Sequence, residues 1–255
     1  MTSRMNRPLR PEHWIIPDWP ATARVHAVTT TRQGGVSTGP WTSMNPADHV
    51  GDALDAVQVN RARLGEGLQL PASPLWLQQV HGTRVVDAAG IAGSVEADGA
   101  FAGQAGVVCA VLTADCLPVL LCDRNGTRVA AAHAGWRGLA AGVVEQAVAA
   151  LQIPGDSVLA WLGPAIGAGA YVVGDEVRDA FVSHAAGAQA AFHPAASGGW
   201  HADLYRLARQ RLAASGVKAL YGGGFCTFTD EQSFYSYRRD GVAGRMASLI
   251  WLEDE

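Results

Sequence analysis

The amino-acid sequence predicts an α/β (α+β) fold, with mixed β-sheets covered by helices in one domain. Strand-like and helix-like runs alternate along the chain without a regular βαβ beat, which argues against a purely parallel sheet. Hydrophobic residues make up 49% of the chain and charged residues 16%, the balance of a well-packed globule. At 255 residues the chain is long enough to bury a substantial core.

Residues 1 to 20 are rich in proline, carry Trp14 and Trp19, and read as an extended arm laid on the surface of a domain spanning 21 to 255. The alternating, β-branched run at 24 to 31 predicts a strand, followed by a Gly-rich loop over 32 to 40. Apolar spacing from 52 to 68, with Asp52 available as N-cap, predicts a helix. Short strands follow at 75 to 80 and 83 to 86, broken by His81-Gly82, and a small, flexible interval covers 87 to 106. The stretch 107 to 138 holds apolar strands on either side of Asp123-Arg-Asn-Gly-Thr127, where Asn-Gly favours the positive φ of a tight hairpin. A helix is expected over 139 to 151, a strand over 158 to 162, and a helix from about 175 to 186. Residues 185 to 199 read as a loop that tolerates insertions. In 203 to 215, Leu204, Leu207, Ala208 and Leu212 share one helical face with Arg206, Arg209 and Arg211 largely away from it, and Gly216 closes the helix. Strands are expected at 219 to 221, 225 to 229, 234 to 237 and 246 to 252.

Several function classes are disfavoured by composition. A formal net charge of -4 and a pI near 6.0 leave no basic footprint for nucleic acid. No stretch has the uninterrupted apolar length of a membrane span, and the opening segment lacks the apolar run of a signal peptide, so a cytoplasmic protein is expected. The four cysteines, Cys109, Cys116, Cys122 and Cys226, lack the spacing of a secreted scaffold and are expected as free thiols.

Chemistry concentrates at strand ends and glycine breaks. His81 precedes Gly82, Cys116 ends one apolar run, and His133 ends another just before a predicted helix N-terminus. Two imidazoles and a thiolate suit Zn²⁺ as three ligands with an open fourth position, the arrangement of catalytic rather than structural zinc. The same residues admit a Cys116 nucleophile with His133 as base. They also admit a copper site, with Met44 or Met246 as the weak axial ligand. Arg32, Arg137, Arg238 and Arg239 offer guanidinium forks for phosphate or carboxylate. Asp98 and Asp115 are candidates to orient an imidazole, although Asp115 is expected to point away if the strand extends to it.

The motifs TTRQGGVS, NRARL, WLQQVHG, TADCLPVLLCD, AAHAGWRG, WLGPAIG, DLYRLARQRL and FYSYRRDGVAGRMASLIWL, in this order from about residue 14 to 252, resemble the YfiH or laccase-domain family, also labelled multicopper polyphenol oxidase-like. The resemblance implies one domain of mixed sheets sandwiched between helices, with a zinc site of His81, Cys116 and His133 that is also catalytic. It implies phosphorolysis of adenosine, inosine, guanosine or methylthioadenosine, with adenosine deamination as a second activity; purine nucleosides and phosphate are then the partners. Arg32, Asn45, Arg238 and Arg239 are the expected substrate-binding residues. Alternatives are a copper-dependent polyphenol oxidase, a hydrolase editing a peptidoglycan precursor, and a non-enzymatic protein with structural zinc. Where the family reads S-L-N-L-G, this chain has Ser43-Met44-Asn45-Pro46-Ala47, which keeps the Asn and stiffens the backbone after it.

Overall fold

The computed structural model describes residues 13 to 254. In chain order these form β1 (Trp14–Ile15), β2 (Val25–Thr30), α1 (Leu54–Gly67), β3 (Val85–Asp87), β4 (Gly99–Ala102), β5 (Val108–Thr113), β6 (Leu117–Asp123) and β7 (Val129–Ala134). There follow α2 (Trp136–Ala141), α3 (Val143–Ala150), β8 (Val158–Leu162), β9 (Val172–Val173), α4 (Asp175–Val182), β10 (Phe192–Pro194), β11 (Trp200–Ala202), α5 (Leu204–Ala214), β12 (Ala219–Gly222), α6 (Tyr237–Asp240) and β13 (Met246–Leu252). The mixed α/β arrangement is the one expected.

Two large sheets share a core. One has four strands in the order β1-β2-β13-β5, all antiparallel, and the other six in the order β12-β8-β6-β7-β4-β3. Strand alternation sorts the side chains. Leu120, Cys122, Val129 and Ala131 of the larger sheet pack with Val25, Ala27, Cys109, Val111 and Ile250 of the smaller. On the opposite face of the larger sheet, Leu117, Val119, Leu121, Ala130, Ala132 and Ala134 pack under Leu139, Val143, Val144 and Ala147 of α2 and α3, with Leu207 and Leu212 of α5. The outer face of the smaller sheet is covered by Trp14, Leu68, Leu70 and Trp76. A third, three-stranded sheet, β10-β11-β9, flanks α4.

The hairpin closes as its sequence dictates. β6 and β7 pair antiparallel from Leu117↔Ala134 to Cys122↔Val129, and Gly126 takes φ +66°. The Asp123 carboxylate accepts from the N–H groups of Asn125, Thr127 and Arg128, which fixes the turn. This register puts Cys116, one residue before β6, opposite Gly135.

Several expectations are corrected. The run at 75 to 80 makes only two isolated bridges, Leu75↔Cys109 and Gln78↔Glu96, because the Gln79 side-chain amide takes both the N–H and the C=O of Leu112 in place of a backbone partner. The helix expected at 139 to 151 starts earlier and breaks at Gly142, whose φ of +108° separates α2 from α3. Residues 185 to 199 contain a 3₁₀ segment, Ala186–Ala191, and β10. The aromatic runs at 225 to 229 and 234 to 237 form no strands; Phe225 and Phe234 pack edge to face instead, and Ser236 caps α6. Ala53, not Asp52, is the N-cap of α1, since the Asp52 carboxylate is held by Ser37 and Asn45. On α5, Asp203 caps the N-terminus as its position suggests. Arg211, placed on the solvent side by sequence, is buried and pairs with Glu145. Trp14 and Ile15, within the expected arm, form the strand β1 against β2, and the earlier part of that arm lies outside the described residues.

Candidate metal centre

The open end of the β6-β7 hairpin brings the segments of Cys116 and His133 side by side. His133 lies on the face of β7 that looks toward the smaller sheet, paired with Pro118. Cys116 follows Asp115, a non-glycine residue at φ +79° that turns the chain sharply between β5 and β6. His81 comes from the loop before β3, also at positive φ, +61°. The ligand atoms of His81, Cys116 and His133 all lie within 4.8 Å of one another. Cys116 Sγ is 3.9 Å from His81 Nε2, and the two imidazoles meet edge to face at 4.8 Å between centroids.

Asp98 organises this arrangement. It lies just before β4, whose Gly99 is opposite Ala132, and its carbonyl accepts the His133 N–H at 2.7 Å. Its side chain is fully buried. Oδ1 accepts from His81 N at 2.9 Å and from His133 Nδ1 at 2.8 Å. Oδ2 accepts from Gly82 N at 2.6 Å and Val80 N at 3.2 Å. One carboxylate thus holds the strained His81 loop and fixes a proton on His133 Nδ1, so Nε2 is the nitrogen left to face a metal.

The electrostatics favour a Cys116 thiolate beside a His133 imidazolium, whose Nε2 proton a metal ion would displace. Burial by itself would raise the Cys116 pKa, but the His133 charge and hydrogen bonds from His133 and His81 lower it to about 6. Burial would lower the His133 pKa, and the Cys116 thiolate together with Asp98 raises it to about 9. For Asp98, burial opposes ionisation, and the bonds from His133 and Gly82 outweigh it, so its pKa falls. Cys109 and Cys122, by contrast, are buried thiols whose pKa values burial pushes up.

Space is left by glycine. A Cβ on Gly135 would stand 2.9 Å from His81 Cδ2, 3.0 Å from Cys116 Sγ and 3.6 Å from His133 Nε2. Any side chain there would fill the volume among the three donors. Two imidazole nitrogens, a stabilised thiolate and that cleared volume fit a soft or borderline ion with a position left for another ligand. Among the described residues this cluster has three members.

The residues expected to bind substrate divide. Asn45 is fully buried, and its amide is committed to Ala47, Asp52 and the Arg245 N–H. Arg32 donates to the carbonyls of Thr42 and Glu231 and lies over the Tyr235 ring. Arg239 donates to the carbonyls of Thr227, Phe228 and Phe234 and pairs with Asp240. These three are built into the frame. Arg238 is exposed, with its guanidinium 5.2 Å above the Tyr171 ring centre. Asp115 points at neither imidazole: its carboxylate accepts from Thr227 Oγ1 at 2.6 Å and from Arg238 N at 2.7 Å. Sequence reasoning missed Tyr171 and Gly135. The only sign of Gly135 was its place between His133 and Arg137. A cavity of about 890 Å³, lined by His49, Arg61, Trp76 and Leu112, contains none of the triad, so its size does not mark the chemistry.

Residues 26–253 match the family model described as multi-copper polyphenol oxidoreductase laccase. A purine nucleoside phosphorylase of Pseudomonas aeruginosa is 58% identical over 94% of this chain and 99% of its own. The Escherichia coli purine nucleoside phosphorylase YfiH is 52% identical over 93% of this chain and 98% of its own. The crystal structure of a Neisseria meningitidis protein superposes with a TM-score of 0.92 at 50% identity, covering 95% of this chain and all of that one. YlmD from Geobacillus stearothermophilus gives a TM-score of 0.87 at 30% identity over 96% of this chain and 98% of that one. With a cluster that could hold a metal ion at the open end of the β6-β7 hairpin and these relatives along nearly its whole length, the chain belongs to the multi-copper polyphenol oxidoreductase laccase family, the family of YfiH.

Proposed function

We propose that the protein is a zinc-dependent purine nucleoside phosphorylase acting on adenosine, inosine, guanosine and methylthioadenosine, with adenosine deamination as a second activity of the same cytoplasmic enzyme. The observation that carries the reading is the convergence of His81, Cys116 and His133 on a space kept free by Gly135. The names of the P. aeruginosa and E. coli relatives support the reaction class. Three ligands and an open position are the pattern of catalytic zinc. Copper of the blue type asks for a weak axial sulfur, and Met246 turns its sulfur to the Tyr235 N–H at 3.2 Å. A structural zinc asks for a fourth protein ligand, and Cys122 is buried in the core between the sheets.

Zn²⁺ held by the triad would supply Lewis acidity to a water or substrate oxygen. The chain's own residues do the remainder. Asp98 keeps the His133 proton on Nδ1 and sets the His81 loop, so both imidazoles present fixed donors. The His133 and His81 rings keep Cys116 ionised. Tyr171, 8% exposed, carries the Arg238 guanidinium over its ring, and the Arg238 N–H is bonded to Asp115, the residue before Cys116. Phosphorolysis needs phosphate aligned with C1′ and a departing purine, a task of positioning and charge. The test is to incubate zinc-loaded protein with adenosine, with and without phosphate, and separate the products. Adenine and ribose 1-phosphate that appear only with phosphate support phosphorolysis, and inosine formed without phosphate supports deamination. No base and no inosine from protein with full zinc occupancy would overturn the reading and favour hydrolysis of a cell-wall precursor.

A further inference from the structure

We infer that Arg137 and Arg238 form an oxyanion-recognition pair at the mouth of the His81–Cys116–His133 cluster, and that the phosphate of the proposed reaction binds there. The assignment rests on the phosphorolysis reading for the identity of the anion, but not for the existence of the site. It moves the anion away from Arg32 and Arg239, whose guanidinium groups already donate to two and three backbone carbonyls respectively.

Arg137 and Arg238 are held differently. Arg137 is exposed and lies two residues beyond Gly135, itself against Cys116 and His81. Its guanidinium is stacked on Trp136 at 4.4 Å, and no hydrogen bond to it is found among the described residues. Arg238 comes from α6. Its N–H is anchored by the carboxylate of Asp115, the residue before Cys116, and its guanidinium is stacked on Tyr171 while donating once, to Val172 O at 2.7 Å. Stacking on an aromatic face holds a guanidinium flat and leaves its N–H edge for a planar or tetrahedral oxyanion.

Among the described residues no carboxylate forms a direct ion pair with either guanidinium. Asp98 is enclosed by four donors, both Asp115 oxygens are engaged, and Asp240 pairs with Arg239. The Tyr171 hydroxyl is consistent with this placement: burial is the main cause of its raised pKa, Cys116 and Asp115 add to the rise, and Arg238 and Arg137 oppose it. Tyr171 thus lies within electrostatic reach of Cys116, Asp115, Arg238 and Arg137. An oxyanion held by the two forks would sit beside the chain segments that carry Cys116 and His133, as phosphate next to a nucleoside requires.

The experiment measures phosphate binding to zinc-loaded protein by equilibrium dialysis with labelled orthophosphate, alongside the phosphate KM for adenosine phosphorolysis. Arg137→Gln and Arg238→Gln are compared with wild type and with Arg206→Gln, an exposed position on α5. Losing one charge-assisted fork should weaken phosphate binding and raise its KM by at least about tenfold, with zinc content unchanged. Arg206→Gln should match wild type. Arg137→Lys and Arg238→Lys retain the charge and lose the fork, so they should fall between, and they replace the Gln variants should those fail to fold. Wild-type phosphate affinity in both arginine variants, or no phosphate bound by wild type, overturns the assignment. Phosphate bound by wild type and lost in the variants, without any turnover of nucleoside, would uphold the site and overturn phosphorolysis.

Discussion

Replacing Asp98 by Asn removes one charge and turns one acceptor into a donor while leaving the side-chain volume nearly unchanged. The consequence follows from the pairing of the two oxygens. His81 N and His133 Nδ1 share Oδ1, and Gly82 N and Val80 N share Oδ2. Whichever way the Asn amide turns, its NH₂ faces two N–H donors. Two charge-assisted bonds are lost, about 3 to 6 kcal/mol in a buried site. For a chain of this length that corresponds to a melting point lower by on the order of 10 °C. If the NH₂ faces His133, the imidazole must accept at Nδ1 and carry its proton on Nε2, the atom needed for the metal. If it faces Val80 and Gly82, the His81 loop loses its anchor. Either outcome should weaken Zn²⁺ binding by about 10- to 100-fold, the usual cost of losing a partner that orients a metal-binding His. Competition with a chromophoric chelator reads the affinity, and thermal melts of metal-free protein read the stability. Wild-type zinc affinity together with a wild-type melt would refute the claim that Asp98 organises the site. Acid should reproduce part of this effect. Because the folded-state pKa of Asp98 is depressed, its stabilising contribution is complete above the ordinary aspartate range and is lost as pH falls through the folded-state value.

Three further outcomes are expected. Cys116→Ser should abolish turnover and stoichiometric zinc while its circular dichroism and cooperative melt remain, because an open three-ligand site contributes less to folding than the core; unfolded protein would count against this. Gly135→Ala, whose methyl group would crowd His81 and Cys116, should lower zinc affinity at least about tenfold while the fold persists, as read by metal analysis after dialysis. In chelator-treated protein, alkylation of Cys116 by iodoacetamide, followed site by site with mass spectrometry, should reach half its maximal rate near pH 6. Asp98→Asn should shift that midpoint upward by weakening the His133 cation, and Cys109 and Cys122 should stay unlabelled; a Cys116 midpoint near the ordinary thiol value would show that His133 exerts no such influence.

What the sequence reveals of this site depends on whether a residue's partner is local. The hairpin was legible because Asn125-Gly126 and Asp123 settle it among themselves, and the register that sets Cys116 opposite Gly135 follows from that turn. Helices α1, α4 and α5 were legible from apolar spacing, whereas the break at Gly142 and the burial of Arg211 were not, because Arg211 finds Glu145 on a different helix. The triad appears from sequence only as three chemically suitable residues at chain breaks; what joins them is Asp98. That residue was a candidate to orient an imidazole and does so for His133, but its segment, read as small and flexible, leads directly into β4, with Gly99 close against the Ala131 carbonyl. The arginines differ in another way. A guanidinium near a loop looks available in sequence, but loop carbonyls turned inward by the fold consume Arg32 and Arg239.

The position of the cluster also explains how one carboxylate reaches so far. β4, β7 and β6 lie side by side in the interior of the larger sheet, so Asp98, His133 and Cys116 sit at adjacent strand ends at one end of it. His81 alone comes from outside that register, and it is the residue whose loop Asp98 binds through three backbone N–H groups. The sheet therefore fixes two donors by strand pairing, and the third depends on a side chain. Destabilising the larger sheet should disturb all three donors together, whereas loosening Asp98 should release His81 first. Backbone amide exchange at 80 to 82 in the Asp98→Asn variant separates these cases: faster exchange there, with β6 and β7 still protected, is the expected pattern. Equal loss of protection across the hairpin would mean that Asp98 supports the sheet as a whole and not the His81 loop in particular.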